Sequence, residues 1–489
     1  MNIPHLLSII VFTPVVGIIV LLFVDGKKHK FIRWFSAIIT LIVLILSFFV
    51  FKQFNFSESG VQLVEKGMWI PQFNIKYFLG VDGLSLPLFF LTALLSFLAC
   101  VGSFGIKERV KEYFILYLLL VTGMLGVFVA LDMVIFYIFW EVVLVPMYFL
   151  IGIWGGPKRE YAAIKFFLYT LFGSVVMLLG ILALYFTSNP HTFDMMEIIA
   201  QRATFTRNFQ IIVWLAMFIG FAIKVPIFPF HTWLPDAHVE APTPISVLLA
   251  GILLKMGGYG FLRLSFPMLP EASKYFATFF AILGFINIVY GALVAMAQKD
   301  LKKLIAYSSV SHMGYVLLGF ASMTQMGYIG GVLQMFNHGI ITGALFLLVG
   351  VIYDRAHTRD IYAFGGLGKT MPVYFGIMTF SCFASLGLPG LAGFVSEFLC
   401  LIGAFSVFKV IVIASASGMI ITAAYFLWTL QRMFMGSENE RWKDLPDMSG
   451  RELFTLIPLM ILMLLIGVYP KIIVQVMKPT LNYLVGLMY

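Results

Sequence analysis

Charged side chains are scarce in this sequence of 489 residues. Lys, Arg, Asp and Glu together make up 11% of the chain, whereas soluble domains average about a quarter. Hydrophobic residues make up 61%, and the mean hydropathy is +0.99. The apolar residues fall in runs of about twenty, the length that crosses the hydrocarbon of a bilayer. The composition therefore predicts an all-α, multi-pass membrane protein.

Cysteine is almost absent as well, and the motifs of nucleotide-binding proteins are missing. Cys100, Cys382 and Cys400 lie in separate apolar runs without a CxxC pair, so they cannot supply the thiolates of an iron–sulfur cluster or attach a haem. No glycine-rich phosphate loop joins a strand pattern to a helix pattern. We therefore expect no cofactor on this chain, and redox or ATP chemistry only on other chains.

The formal net charge of +9 does not come from one basic patch. The basic residues stand in short loops between apolar runs, which argues against a nucleic-acid partner. With the N-terminus outside, the inner loops hold about twice as many Lys and Arg as the outer loops, as the positive-inside rule requires. In this assignment Arg263 belongs to an outer loop and Lys302 to an inner one.

We predict fourteen spans, which place both termini on the outer, periplasmic side of a cell inner membrane. The spans are residues 4–24, 31–51, 84–104, 112–131, 133–152, 165–187, 211–228, 244–266, 275–296, 303–321, 327–351, 372–404, 408–432 and 453–474.

Two of these spans contain helix breaks. Pro226 and Pro229 follow Lys224 in the seventh span, and Pro389 stands between Gly387 and Gly390 in the twelfth. Proline removes a backbone donor, and a break inside a membrane persists only where protein or water satisfies the freed carbonyls. The breaks lie five spans apart, and an odd offset reverses the direction of crossing. We therefore predict two inverted five-helix repeats, as in many ion transporters.

The repeats imply four segments along the chain. Residues 1–110 hold the first three helices, 111–270 the first repeat (spans 4–8), 271–435 the second repeat (spans 9–13), and 436–489 a loop with the last helix.

Four charged residues and two histidines lie inside the apolar spans: Glu141, Lys224, Lys255, Glu397, His312 and His338. Each charge at mid-membrane costs about 2.5–3.5 kcal/mol on insertion scales. Static pairing that locks helices together is one interpretation. A proton relay is the other, and we favour it because desolvation and a nearby opposite charge hold such groups close to their titration point.

The predicted relay runs from one repeat to the other. A carboxylate at Glu141 that approaches or retreats would favour the charged or the neutral form of Lys224. Lys255 would pass the proton on, His312 and His338 would carry it along a central polar axis, and Glu397 would be the last carrier. No polar route beyond Glu397 is visible in the sequence.

Polar residues form two stripes at helical spacing near these histidines. Ser308, Ser311, His312 and Tyr315 make one, and Gln334, Asn337, His338 and Thr342 make the other. Hydrogen bonds between helices explain the Ser, Thr, Gln and Asn members equally well. The histidines favour proton transfer, since imidazole titrates near neutral pH.

His231 and His238, with Asp236 and Glu240, lie in a proline-rich segment that we predict to be loop-like. The histidines are seven residues apart, which is not the i, i+4 pair of a helical zinc site. We therefore expect no metal here, and either an inner-side proton inlet or a plain solvated loop.

Three long motifs resemble the antiporter-like subunits of respiratory complex I over nearly the whole chain. They are FWEVVLVPMY at residues 139–148, LPDAH at 234–238 with APTPISVLLAGILLK at 241–255, and KDLKKLIAYSSVSHMG at 299–314. Glu397, where the L and N types and the antiporters usually carry Lys, resembles the M type. The first motif argues against the N type, and the lack of a long C-terminal lateral helix argues against the L type.

The resemblance implies a proton-translocating subunit of NADH–quinone oxidoreductase without redox chemistry of its own. It implies that Glu141, Lys224, Lys255 and Glu397 match the family's pumping residues, and that the partners are membrane-arm subunits of the L and N types, together with lipid. Two alternatives stay open: a subunit of a multisubunit cation/proton antiporter or membrane-bound hydrogenase, and a scaffold that does not conduct protons.

Overall fold

The computed structural model describes residues 4–489, and most of them are helical. The helices up to residue 240 are α1 (Leu6–Phe23), α2 (His29–Gln53), α3 (Ser85–Gly102), α4 (Val110–Val129), α5 (Met133–Trp154), α6 (Arg159–Thr187), α7 (Met195–Ala200), α8 (Arg207–Lys224) and α9 (Trp233–Glu240). The later ones are α10 (Thr243–Leu248), α11 (Leu254–Gly260), α12 (Phe266–Met268), α13 (Pro270–Tyr275), α14 (Ala277–Met296), α15 (Leu301–Ala321), α16 (Gln325–Ala356), α17 (Leu367–Thr370), α18 (Pro372–Ser385), α19 (Ala392–Phe405), α20 (Lys409–Phe434), α21 (Gly450–Val468) and α22 (Lys471–Gly486).

The predicted spans correspond to these helices. Within residues 4–489, thirteen helical stretches are long and apolar enough to cross a membrane. The shorter pair α18 and α19 makes up the predicted twelfth span. The all-α, multi-span class is therefore confirmed, and both predicted breaks are present, after Lys224 and after Ser385. The inverted relation of the two repeats and the four-segment division stay predictions.

The last predicted span, 453–474, has the wrong bounds. Ser449 and Glu452 form a capping box that starts α21 at Gly450. The helix ends at Val468, because Pro470 disfavours helical geometry at the residue before it. A further amphipathic helix, α22, follows and was not predicted, since its sixteen residues are too short and too polar on one face to resemble a span.

An antiparallel hairpin between α2 and α3 was also not predicted. Strand β1 (Gln62–Ile70) pairs with β2 (Ile75–Val81), and Asn74 turns the chain with a φ of 52°. The N–H of Leu131 donates to the Phe78 carbonyl at 2.9 Å, so the hairpin attaches to the link between α4 and α5. This segment lacks the uninterrupted apolar run of about twenty residues on which the span prediction relied.

The predicted eighth span is one apolar stretch, Thr243–Met268, that two π turns interrupt. The turns are Leu249–Leu253 and Phe261–Ser265, and they flank α11, which carries Lys255. π turns often mark functional sites in helices. The stretch also contains Arg263, which is buried, so the assignment of Arg263 to an outer loop was wrong. Lys302 was misassigned in the same way: it is buried in the first turn of α15.

The chain forms two compact units. The first contains the described residues up to Val225, Ile252–Ala277 and Gln475–Tyr489, and the second contains Pro226–Gly251 and Thr278–Val474. In the first unit α4 packs against α1, α3 and α5, and α6 packs against α8. In the second unit α16, which is buried except near its ends, packs against α15, α18, α19 and α21.

Asp132, between α4 and α5, is fully buried. It caps α5 by accepting from the N–H groups of Val134 at 2.9 Å and Ile135 at 3.4 Å, and its other oxygen accepts from the Lys76 N–H at 3.0 Å. Burial raises the pKa of Asp132 to about 6, and these three N–H donors only partly offset that effect.

Candidate functional site

Lys224 ends α8 in the first unit and is 1% exposed. Its Nζ has no hydrogen-bond partner within residues 4–489. The ammonium faces two aromatic rings instead, with Nζ 5.2 Å from the Trp140 ring centroid and 5.7 Å from that of Phe166. Cation–π contact stabilises the charged form less than a direct carboxylate contact would. Lys224 is therefore a buried amine that contacts aromatic rings and has no bonded carboxylate within the described residues.

Glu141, next to Trp140 on α5, is the charged group that acts on Lys224. The two form no hydrogen bond, and Oε1 of Glu141 is itself buried without a partner within the described chain. Glu141 is half-buried, unlike the fully buried Lys224. The structure thus places the predicted pair close enough to interact electrostatically but without a hydrogen bond between them.

Lys255 is fully buried on α11, the stretch between the two π turns. This stretch packs directly on α8. A Cβ at Gly257 would lie 2.8 Å from the Phe221 carbonyl oxygen and 3.0 Å from Cβ of Lys224, so glycine is what permits the close approach. Lys224 and Lys255 therefore lie on helices in direct contact.

The break after Lys224 is satisfied by a residue that the sequence analysis missed. Asn287, on α14, donates from Nδ2 to the Pro226 carbonyl at 3.1 Å and accepts from the Phe228 N–H at 2.9 Å. Both groups belong to the non-helical backbone of the break itself, where no helical partner is present. The signal for Asn287 was its place as a lone amide inside an apolar span.

Glu397, on α19 of the second unit, is 2% exposed and, unlike Lys224, directly bonded. A hydrogen bond of 2.7 Å joins its Oε1 to Nδ1 of His312 on α15. Gln334 of α16 donates from Nε2 to the same oxygen at 3.3 Å. The bond between Glu397 and His312 can exist as carboxylate and imidazolium or as two neutral groups, so the pair can hold one proton at two places.

The far side of His312 also has a polar neighbour. Oγ of Ser385, the last residue of α18 before the twelfth-span break, lies 3.0 Å from His312 Nε2. Gly387 and Gly390 adopt φ angles of 83° and 95° within the break, a conformation that favours glycine. A Cβ at Gly387 would be 3.5 Å from Oε2 of Glu397. The second break therefore lies directly beside the Glu397–His312 pair.

The two predicted polar stripes serve mixed purposes. Ser311 donates to the Ile288 carbonyl at 2.7 Å, and Asn337 donates to the Ala392 carbonyl at 2.7 Å, so both make bonds between helices. His312 and His338 lie with ring centroids 5.8 Å apart. Tyr315 Oη is buried without a partner within residues 4–489. Some residues of the stripes therefore form hydrogen bonds between helices, and the others line the predicted polar axis.

His231 and His238 are buried, and α9 is helical, so the interpretation as a solvated loop was wrong. His231 Nε2 lies 3.3 Å from Tyr290 Oη, and the His238 ring stacks on Phe346 with centroids 4.5 Å apart. Among residues 4–489, no group of three or more His, Cys, Asp or Glu could hold a metal ion. The role of these histidines as an inlet stays a prediction.

The first unit contains a buried ion pair that the sequence analysis missed. Arg263 Nη2 donates to Asp82 Oδ1 at 2.7 Å, and the two residues are 181 positions apart. No local pattern predicts such a partner. Together, the two units provide buried groups able to bind and release protons in otherwise apolar surroundings.

Comparison with known proteins places this arrangement in a family. The family described as NADH:quinone oxidoreductase/Mrp antiporter, TM, matches residues 130–422. A protein of Rhodobacter capsulatus named NADH-quinone oxidoreductase subunit M is 45% identical, over 98% of this chain and 96% of its own. The chain belongs to the NADH:quinone oxidoreductase/Mrp antiporter transmembrane family. The resemblance predicted from the three motifs is therefore confirmed.

Solved structures agree with this family. A chain of respiratory complex I from Thermus thermophilus matches with a TM-score of 0.91 at 30% identity, covering 99% of this chain and 100% of that one. A chain of the Mrp complex from Dietzia shares the fold with a TM-score of 0.86 at 19% identity, over 99% of this chain. A protein of Acaryochloris marina named NAD(P)H-quinone oxidoreductase chain 4 is 43% identical over 98% of this chain. The relatives favour the complex I type over the antiporter alternative.

Proposed function

We propose that this chain translocates protons as the M-type membrane-arm subunit of an NADH–quinone oxidoreductase. Quinone reduction elsewhere in the complex would drive protonation changes at Glu141, Lys224, Lys255 and Glu397, with His312 and His338 between them. The observation that supports this proposal most directly concerns Lys224. This buried lysine has no hydrogen-bond partner within residues 4–489, and the Glu141 carboxylate influences it from beyond hydrogen-bond distance.

Such a lysine is suited to repeated proton uptake and release. Desolvation favours its neutral form, and an approaching carboxylate favours the charged form. A small movement of Glu141 would therefore switch the proton affinity of Lys224. The Glu397–His312 pair would receive the proton, since it can hold one at two places. His231 and His238 would form the inlet on the inner side.

Partner subunits are expected on the face of α5 that bears Glu141. Ile138, Val145 and Phe149 are 38%, 49% and 41% exposed, and with Glu141 they form one helix face. A half-buried carboxylate facing lipid would be costly, so we infer that a neighbouring antiporter-like subunit of the L or N type covers this face. Lipid would cover the remaining apolar exterior, in a cell inner membrane with both chain termini outside.

No cofactor is needed on this chain for that role, because the redox steps belong to other subunits. A multisubunit antiporter or hydrogenase subunit is the weaker alternative, since Glu397 stands where those relatives usually carry Lys. A non-conducting scaffold is the other alternative, and it predicts that Lys224 and Glu141 are dispensable.

The test compares proton pumping by assembled complexes in proteoliposomes carrying Lys224→Ala, Glu141→Ala or Lys28→Ala. Lys28 is exposed in a loop and serves as the control. We expect both buried variants to lose most of their pumping and Lys28→Ala to keep it. Undiminished pumping in both buried variants would refute the conducting role and support the scaffold.

A further inference from the structure

The Arg263–Asp82 pair lies outside the proposed relay but on the same stretch of chain as Lys255. The two side chains are 3% and 4% exposed. Asp82 follows β2, and its Oδ1 also accepts from the N–H groups of Leu84 and Ser85 at 3.0 Å each. The carboxylate is therefore held both by the guanidinium and by the first turn of α3, at the end of the first unit where the hairpin lies.

Tyr259 stands between Lys255 and Arg263 along the chain. It follows Lys255 by four residues, one helical turn, and its hydroxyl accepts from Nε of Arg263 at 3.0 Å. The same hydroxyl donates to the Phe128 carbonyl at 3.3 Å. Because its proton is engaged by a backbone carbonyl, Tyr259 is poorly placed to pass a proton from Lys255 towards the hairpin.

The C-terminal helix closes this end of the unit. Gly83, next to Asp82, donates its N–H to Thr480 Oγ1 of α22 at 3.0 Å, and Thr480 donates in turn to the Ser59 carbonyl at 3.1 Å. A Cβ at Gly83 would lie 2.3 Å from the Val476 carbonyl oxygen, so only glycine permits this approach. The packing keeps water away from Asp82.

The guanidinium of Arg263 differs chemically from the side chains of Lys255 and Tyr259, which precede it on the same stretch of chain. It keeps its proton at all relevant pH values, and it has no lone pair that could accept another one. A fixed positive charge at a constriction also repels protons and other cations, the principle by which some pores exclude them. A proton on Lys255 therefore meets both a chemical and an electrostatic barrier at Arg263.

We propose that Arg263, held by Asp82 and Tyr259, seals the hairpin end of the first unit against protons that reach Lys255. The proposal rests on the proton-relay function proposed above. It assigns the ion pair a directional role: protons entering the first unit are kept from leaking out past Lys255. Tyr259 and Asp82 are positioning residues for the guanidinium.

The seal is tested by passive proton leak into proteoliposomes that contain the assembled complex without substrate. A pH-sensitive dye inside the vesicles follows an imposed pH gradient. We expect Arg263→Gln to speed the leak at least fivefold, because glutamine is uncharged and because Asp82, once unpaired and buried, takes up protons readily. During turnover the same variant keeps its rate of quinone reduction but moves fewer protons per electron.

Three further variants separate a seal from a merely structural ion pair. Arg263→Lys keeps the positive charge, and we expect its proton leak to be no faster than that of the wild type. Asp82→Asn breaks the same pair but keeps the guanidinium, which Tyr259 still positions, so we expect no faster leak in this variant either. In the double variant Arg263→Gln/Asp82→Asn the leak falls below that of Arg263→Gln alone, because the proton-accepting carboxylate is gone. A structural pair predicts equal damage from either single loss, since each leaves its partner buried and unpaired.

The matched control is Arg355→Gln, which breaks another arginine–carboxylate pair, Arg355–Glu452 at 2.8 Å, and is expected not to leak. A tight Arg263→Gln complex would overturn the proposal, and so would an Asp82→Asn complex as leaky as Arg263→Gln. If Arg263→Gln does not assemble, a leak in Arg263→Lys or Asp82→Asn overturns it, and tightness in both supports it. Because the leak is measured without turnover, its outcome is independent of the pumping test on Lys224 and Glu141.

Discussion

The two broken spans of this protein carry the same kinds of groups in different states of pairing. Before the first break, Lys224 and Glu141 interact only at a distance, and neither Lys224 Nζ nor Glu141 Oε1 has a hydrogen-bond partner within residues 4–489. Beside the second break, Glu397 and His312 are bonded at 2.7 Å. The first pair therefore interacts without a bond, whereas the second pair is joined by a hydrogen bond.

The asparagines that bind backbone groups at the two breaks also differ in how many such groups they bind. Asn287 bonds two backbone groups at the first break, whereas Asn337 bonds one carbonyl at the second and its Oδ1 has no partner within the described chain. Asp132 caps α5 and Asp300 caps α15. Each also forms an isolated antiparallel β-bridge with another aspartate, Asp194 and Asp360 respectively. Asp300 also accepts from Arg359 Nε at 3.1 Å, whereas Asp132 accepts from N–H groups of the backbone. These recurrences five spans apart fit the predicted repeats.

The largest expected effect concerns Asp132, the aspartate that caps α5. The pKa of Asp132 in the folded protein is about 6, above its ordinary 3.8, so the folded chain binds a proton that the unfolded chain lacks between these values. The free energy of unfolding of the wild type, relative to Asp132→Asn, should therefore rise as pH falls from 7 to 4, by up to about 3 kcal/mol. Unfolding of the purified protein in detergent across this range measures it. A difference that does not change with pH would contradict the prediction.

The two asparagines give the next largest effect. Asn287→Leu leaves a buried carbonyl and a buried N–H without partners and should lower the free energy of unfolding by about 2 kcal/mol. Asn337→Leu should cost about half as much, since it loses fewer bonds to backbone groups. Thermal unfolding of both variants tests the order, with the exposed Asn482→Leu as the control. Equal losses would mean that the two breaks are supported alike.

The two carboxylates differ in how directly they act. Glu397→Gln removes the group that shares a proton with His312, and we expect pumping to fall about tenfold. Glu141→Gln removes an electrostatic partner that makes no bond to Lys224, and we expect a fall of only about threefold. Proton pumping per quinone reduced, in assembled complexes, gives both values. A larger fall in Glu141→Gln than in Glu397→Gln would show that the hydrogen-bonded carboxylate is not the more important of the two.

The smallest effect is expected at Ser385. Ser385→Ala removes one hydrogen bond from His312 Nε2, while Glu397 still holds Nδ1. The net contribution of one such bond can be as small as about 0.5 kcal/mol, so pumping should fall only about twofold. Ser415→Ala is the control, because the Ser415 hydroxyl donates within its own helix to Ile411. A loss as large as that of Glu397→Gln would place Ser385 in the relay itself.

Much of the candidate site could be predicted from residue types alone. Lys224, Lys255, Glu141 and Glu397 are conspicuous because each interrupts an apolar run, and the prolines beside two of them mark the breaks. The hairpin and α22 escaped prediction, since short amphipathic elements outside the spans carry weak periodic signals. The π turns escaped as well, because nothing in the apolar stretch from Thr243 to Met268 distinguishes them from ordinary helix.

The sequence by itself determined the class, the spans and the family. A bilayer requires every crossing segment to satisfy its own backbone, so apolar length and loop charge are enough to place helices. Only the tertiary structure decided the partners: His312 with Glu397 across 85 positions, and Arg263 with Asp82 across 181. The physical reason is that a buried polar group can take its partner from any helix packed against it, however far apart the two lie in the sequence.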